Sequence, residues 1–339
     1  MIKDSVFAAL EMANHRREER RRFLKLAGAG TAAVGGLALL SACGSDNNNS
    51  TSPSPTPSPT PTPTGSVSTD VAILQLALNL EYLEAQFYSW AAFGRPLPDA
   101  SLTGSVGTRG AVTGGKQVQF SDPIIASYAR EIAADEIAHV NALRAVITSV
   151  NSAAVINQPA INIDGGANGA FTTAARAAGL IGQNDTFDPY ANDDSFLLAA
   201  FLFEDVGVSA YKGASPLISS AIYLEAAAGI LAAEAYHAGL IRTELYRRGT
   251  TARVAANKIS DARDSLDGST DLDIGISANA DGSGDAKIVN ADSNGIAFSR
   301  NSGQVHNIVY LKTGATIGGG FFPAGTNNSL EALRTGVAV

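Results

Sequence analysis

The segment DEIAHVNALR, Asp135–Arg144, decides the fold, because AEAYHAGLIR, Ala233–Arg242, repeats its chemistry. Each carries a glutamate three residues before a histidine (Glu136 and His139; Glu234 and His237) and an arginine five residues after it (Arg144 and Arg242). Residues i and i+3 share a helix face, so each Glu-x-x-His sets a carboxylate beside an imidazole on neighbouring turns. From residue 43 onward the chain has nine glutamates and three histidines, His139, His237 and His306. Two independent hits at this offset have a chance on the order of 0.001, so the repeat is signal.

Two further segments align without a gap. ALNLEYLEAQFY (Ala77–Tyr88) lies over AFLFEDVGVSAY (Ala200–Tyr211), pairing Glu81 with Glu204, Tyr88 with Tyr211 and Glu84 with Gly207. The chain therefore reads as two copies of a helix pair, Glu on one helix and Glu-x-x-His on the next. Glutamate in an apolar helix is rare unless paired or bound to a cation. Four carboxylates and two imidazoles, Glu81, Glu136, His139, Glu204, Glu234 and His237, suit two divalent ions, iron or manganese, with carboxylates bridging. This is the pattern by which ferritin-like metal proteins are described, so it is matched here rather than newly deduced. Glu84 and Glu131 are candidate extra ligands. Asp135 is placed to orient His237, and Tyr88 and Tyr211 to act beside the metals as catalytic or redox groups.

Outward from these segments, four long helices are expected. The first begins at Thr69-Asp70 and stops before Gly94-Arg95-Pro96. The second begins at Ser121-Asp122-Pro123, a cap with proline in the first helical position, and runs to about Ser149. The third follows Asp193-Asp194 and ends near Gly213; the fourth begins at Ser215-Pro216 and runs to about Arg248, with Gly249 as its stop. About 45 residues rich in Gly, Asn and Asp separate the second from the third, long for a loop but suited to the crossover of a four-helix bundle. The bundle occupies 69–249. Residues 250–339 turn to Gly, Asp, Ser and Asn with strand-like pieces such as Ala286–Val289, and read as an irregular extension packed on the bundle.

Residues 1–42 read as an export signal: Arg20-Arg21-Arg22-Phe23-Leu24-Lys25, an apolar run from Leu26 to Leu40, then Leu-Ser-Ala before Cys43. The Arg-Arg-x-Phe-Leu-Lys stretch resembles a twin-arginine signal, with Glu19 where Ser or Thr is usual. Leu-Ser-Ala-Cys resembles a lipobox, so Cys43, the single cysteine, is the expected lipidation site. Residues 43–68 include TSPSPTPSPTPTPT, a tether that favours extended polyproline II. Removing 1–42 takes away seven Lys/Arg and four Asp/Glu and leaves the mature chain more acidic than the −8 of the full sequence. That charge argues against nucleic acid as a partner. The expected location is extracytoplasmic, in the periplasm or at the cell surface, held to a membrane by lipid; homo-oligomerisation stays open.

The segments LNLEYLEAQFY, DEIAHVNALR, FLFEDVGVSAYKGA and AAEAYHAGLIR, with AFSRNSGQVHNIVY and GGFFPAGTNN from the extension, resemble the ferritin-like domain of exported bacterial proteins and plant desiccation-related proteins. The resemblance covers about residues 68–330. His306 stands where an apolar residue is expected, and Asn327-Asn328 where Asn-Gly is common. The resemblance implies an all-α ferritin-like bundle and two function classes. One is a dinuclear oxidase, peroxidase or catalase-like protein. The other is a structural desiccation-stress protein at the cell envelope with a vestigial metal site.

Overall fold

The computed structural model describes residues 67–339; the signal, Cys43 and nearly all of the tether lie outside the described residues. Helix α1 (Thr69–Phe93) starts on the side-chain cap of Ser68 and ends at Gly94, whose φ of 65° suits glycine. Helix α2 (Pro123–Val150) starts on Asp122 with proline at its first position. A short helix α3 (Ala170–Ala177) sits within the crossover. Helix α4 (Asp193–Ala214) is capped by Asn192, and α5 (Ala221–Arg247) by Ser220. The bundle pairs α1 with α2 and α4 with α5; α1 also packs on α4, and α2 on α5.

In α1, 21 of 25 residues are buried, including Gln75, Asn79, Glu81, Glu84 and Gln86. A helix buried all round belongs in the interior, and its polar groups need partners there. The crossover and the extension supply several. Gln75 donates to Ala154 O and accepts from Ser329 N, and Asn79 exchanges hydrogen bonds with the Asn327 backbone. Asn328, where Asn-Gly is common, donates to Ala72 O. His306 is fully buried and joins Ser302 O to Thr326 Oγ1. Both departures from the family pattern are thus hydrogen-bonded parts of the packing. Beside α1, Phe87 stacks on Phe196, and Phe171 and Phe203 meet Phe321 of the extension edge-on.

Three sequence expectations are corrected. Ser215–Leu217 is a single 3-10 turn and α5 begins only at Ala221, because Asp70 draws in the backbone N–H groups of Ser219 and Ser220. The crossover is not a bare loop: besides α3 it carries β2 (Ile161–Ile163), which pairs in parallel with β1 (Val112–Gly114), Val112 opposite Ile161. The extension is not wholly irregular either. Helices α6 (Thr250–Asp267) and α7 (Ser302–Tyr310) form in it, while Ala286–Val289 makes only an isolated bridge at Ala286.

Three fully buried arginines tie the extension to the bundle. Arg242 of α5 and Arg263 of α6 both reach Asp205 of α4, at 2.7 and 2.9 Å. Arg263 also meets Asp273 at 2.7 Å, and Arg300 meets Asp267 at 2.6 Å and Asp273 at 2.9 Å. Among the described residues, no helix is long and apolar enough to cross a membrane.

Candidate metal centre

Each bundle helix turns carboxylates or imidazoles toward one interior space. Helix α1 supplies Glu81, α2 supplies Glu136 and His139, α4 supplies Glu204, and α5 supplies Glu234 and His237. His139 Nδ1 lies 3.3 Å from Glu81 Oε2 and 3.5 Å from both Glu136 Oε2 and Glu234 Oε1. His237 Nδ1 lies 3.1 Å from Glu136 Oε1 and 3.6 Å from Glu204 Oε2. Glu136 thus turns one oxygen to each imidazole, and the ring centres stand 6.2 Å apart. The donor atoms fall into two overlapping groups, Glu81, Glu136, His139 and Glu234, then Glu136, Glu204 and His237.

The outer atoms of this cluster are tied down. The Tyr211 hydroxyl donates to Glu81 Oε1 and the Tyr88 hydroxyl to Glu204 Oε1, each tyrosine reaching across to the other half of the repeat. Asp135 Oδ2 lies 3.2 Å from His237 Nε2 and fixes the ring. The inner atoms have no hydrogen-bond partner: Glu81 Oε2, Glu204 Oε2, both oxygens of Glu136 and of Glu234, and Nδ1 of His139 and His237. Buried polar atoms nearly always find partners, so eight converging orphans in one space need a common one. Carboxylate oxygens and imidazole nitrogens are the ligands that divalent iron and manganese accept, so the residues fit such cations.

The electrostatics agree. Burial pushes Glu81 up to about 7 against the pull of His139, and pushes Glu84 and Glu234 well above the usual carboxylate range, with neighbouring carboxylates adding to the effect. Glu204 is raised by burial too. Glu136 goes the other way, to about 2, because the two imidazoles facing it outweigh its burial. Burial opposes protonation of His237, yet Glu204 and Glu136 hold it at about 12; His139 is raised in the same way, chiefly by Glu81. Tyr88 and Tyr211 are raised well above the usual phenol range by burial and then by Glu204 and Glu81, so both stay protonated donors. Without cations the cluster must hold protons instead.

Not every candidate joins it. Glu131 is exposed and lines a cleft of about 610 Å³ between α2 and α5, with Asp135 and Tyr236 on its walls and His237 at its inner end. Glu84 is buried but outside both donor groups. It sits beside Gly207, where an added Cβ would lie 2.6 Å from Glu234 Oε2 and 3.5 Å from Glu84 Oε1. Glycine there lets α4 approach two carboxylates, which explains why Gly207 stands opposite Glu84 in the alignment. Arg144 donates to the Tyr82 hydroxyl and to Thr103 O, and Arg242 to Asp205, so both arginines bond away from the cluster. The α2/α5 cleft and the arginine network had no signature in the sequence, because each joins residues far apart in the chain.

The family model described as Ferritin-like domain matches residues 69–247. The chain is 32% identical to the desiccation-related protein PCC13-62 of Craterostigma plantagineum, over 68% of this chain and 74% of that one. It is 26% identical to the ferritin-like catalase Nec2 of Nesocodon mauritianus, over 77% of this chain and 84% of that one. No solved structure matches it.

Proposed function

The chain belongs to the ferritin-like domain family, and on that footing we propose that it is a dinuclear metal protein that disproportionates hydrogen peroxide outside the cytoplasm. The observation that carries the reading is the set of eight unpartnered buried atoms on Glu81, Glu136, His139, Glu204, Glu234 and His237. The name of the catalase relative supports peroxide as the substrate, and the desiccation-related relative supports a role in stress. In the reaction one peroxide gives up two electrons and two protons and becomes dioxygen. The second takes both, its O–O bond breaks, and two waters form. Two bound iron or manganese ions would supply the two-electron cycling and neutralise the carboxylates.

The chain's own residues do the rest. Glu136 faces both halves of the site. Tyr88 and Tyr211 hold the outer oxygens of Glu204 and Glu81, so their inner oxygens stay aimed at the centre. Asp135 fixes the His237 ring. The α2/α5 cleft, with Glu131, Asp135, Thr243 and Glu244 among its lining, reaches His237 from solvent and admits peroxide and water. Residues 1–68 are read as twin-arginine export, lipidation at Cys43 and a stalk, which would leave the bundle tethered in the periplasm or at the cell surface.

Metal analysis with an oxygen-electrode assay tests the reading. Protein reconstituted with iron or manganese should hold two ions per chain and evolve one dioxygen per two peroxides, and Glu136→Ala should lose both properties. Less than about 0.2 equivalents of metal after reconstitution, against the two that this ligand pattern takes, would leave the structural stress-protein reading in its place. For location, Cys43→Ser should release the protein in soluble, metal-loaded form, and Arg20→Lys with Arg21→Lys should strand the precursor inside. Normal export of that double variant would point to a general secretory route with metal acquired outside.

A further inference from the structure

The side of the bundle opposite the α2/α5 cleft, where α1 packs on α4, carries two small cavities in line. The outer one, about 30 Å³, lies among α3, α4, α6 and α7, with half-exposed Ala174, Leu180, Leu198 and Leu311 on its walls, so it reaches the surface. The inner one, about 20 Å³, lies between α1, α4 and α7 and ends at Glu84 and Gly207. Leu202 and Ile308 line both, so these two side chains form a shared wall between them. Gly207 in turn packs against Glu234 Oε2, one of the unpartnered atoms of the candidate metal centre, so close that an added Cβ would lie 2.6 Å from it. Surface, outer cavity, Leu202–Ile308 wall, inner cavity and candidate metal centre therefore follow one another as neighbours.

The walls decide what can use it. Apart from Glu84 at the inner end and Arg263 in the outer wall, every lining residue is apolar or glycine. The guanidinium of Arg263 is already committed to Asp205 and Asp273. Peroxide or an ion would have to give up its hydrogen bonds to water with nothing to replace them. A small apolar molecule gives up none. Both spaces exceed the roughly 10–15 Å³ that a water-sized molecule needs, and an engineered cavity of about 150 Å³ with such walls stays dry and takes up xenon.

We propose that this line is a gas path, in which the two cavities bind dioxygen and pass it between the metal centre and the surface through the Leu202–Ile308 partition. Its role as the outlet for dioxygen rests on the peroxide reading above; gas binding does not. Peroxide and water then use the α2/α5 cleft, which offers polar side chains, on one side, and the apolar product leaves on the other.

Crystals of the protein pressurised with xenon test it, with Leu202→Phe and Leu202→Ala alongside. The expected result is xenon in both cavities of the unaltered protein. Leu202→Phe should lose the inner site with metal content unchanged, and Leu202→Ala should merge the two sites into one of higher occupancy. Leu202→Ala decides the matter if the larger side chain prevents folding. Absence of xenon from both cavities, ordered water filling the inner one, or two separate sites of unchanged occupancy in Leu202→Ala overturns the path. Xenon in both cavities of a protein that does not turn over peroxide keeps the path and discards the peroxide reading; turnover without xenon does the reverse.

Discussion

Glu204 and Asp205 are neighbours in α4 and both are buried, yet they face opposite fates. Asp205 meets Arg242 and Arg263, within a set of three aspartates and three arginines that balances its own charge. Glu204 faces a cluster with Glu81, Glu84, Glu136 and Glu234 and only two imidazoles to answer them. The arginine set leaves Asp205 Oδ1, Arg263 Nε and Asp267 Oδ1 without partners, scattered over three residues; the other cluster leaves eight atoms aimed at one space. Burial of charge alone is therefore no sign of a metal site. What separates the two is whether the protein supplies the counter-charge itself.

Removing a counter-charge from the balanced set should have the largest effect. Arg263→Met leaves Asp205 and Asp273 short of a partner inside the protein, and breaking a buried pair in this way costs about 3–5 kcal/mol. Denaturant titration of the metal-free protein should show that loss. Removing charge from the unbalanced cluster should do the opposite. Glu234→Gln takes away a carboxyl whose ionisation burial and Glu136 oppose, so above pH 7 the metal-free variant should be as stable as the parent or more so. The same substitution should abolish the stabilisation by metal, which mass action sets at about 2.7 kcal/mol when free metal is 100 times its Kd. Thermal melts with and without manganese read both. A destabilised metal-free Glu234→Gln would mean that the cluster is satisfied by protons alone, and the comparison would fail.

The bundle was legible because its helices repeat a pattern that composition makes improbable, and the six candidate ligands carry that pattern. The crossed tyrosines were not, since no alignment of α1 on α4 reveals that Tyr88 bonds Glu204 rather than its own Glu81. Helix α6 was missed for a related reason. Its buried face holds Asn257, Ser260, Arg263 and Asp267 among Ala252, Ala256 and Ile259, so the apolar period is broken by residues that the fold later satisfies. Asn257 donates to Ser277 and Ser260 to Asp273, while Arg300 meets Asp267; all of these partners lie further along the chain. Polar burial hid a helix in the extension, while in the bundle it pointed to the site.

Acidity separates the clusters by the sign of its effect. In the metal-free protein Glu81 is raised to about 7 by burial, so the native state keeps a proton that the unfolded chain releases near the ordinary 4.5. The stability this group contributes is fully present below pH 4.5 and lost as pH rises through 7, at up to about 1.4 kcal/mol per pH unit. Asp273 is lowered, because Arg263 and Arg300 outweigh its burial, so its contribution is present above pH 3.8 and lost in stronger acid. Bound metal should reverse the first slope, since the ligands must give up their protons to hold it. Melting temperature against pH, in chelator and then in excess manganese, should fall from pH 5 to 7 in the first series and rise in the second. Parallel curves would remove Glu81 from the site.

The smallest effect tests the repeat itself. Arg144 and Arg242 sit at the same offset from their histidines, but only Arg242 is buried, with Asp205, the carbonyls of Ile274 and Gly275, and Lys287 O around it. Arg144 stays half-exposed and donates to Tyr82 Oη at 2.6 Å and to Thr103 O at 2.7 Å. Arg144→Met leaves no buried group stranded: the Tyr82 hydroxyl still donates to Ser101 O, and the freed carbonyls can turn to water. The expected cost is about 1.5 kcal/mol, the weak end for bonds from a charged donor. Arg242→Met strips Asp205 of one of its two cations and should cost several times that. Equal losses from the two substitutions would show that the offset carries a common structural demand. Unequal losses would show that the repeat preserves the candidate ligands while the surroundings of its arginines have diverged.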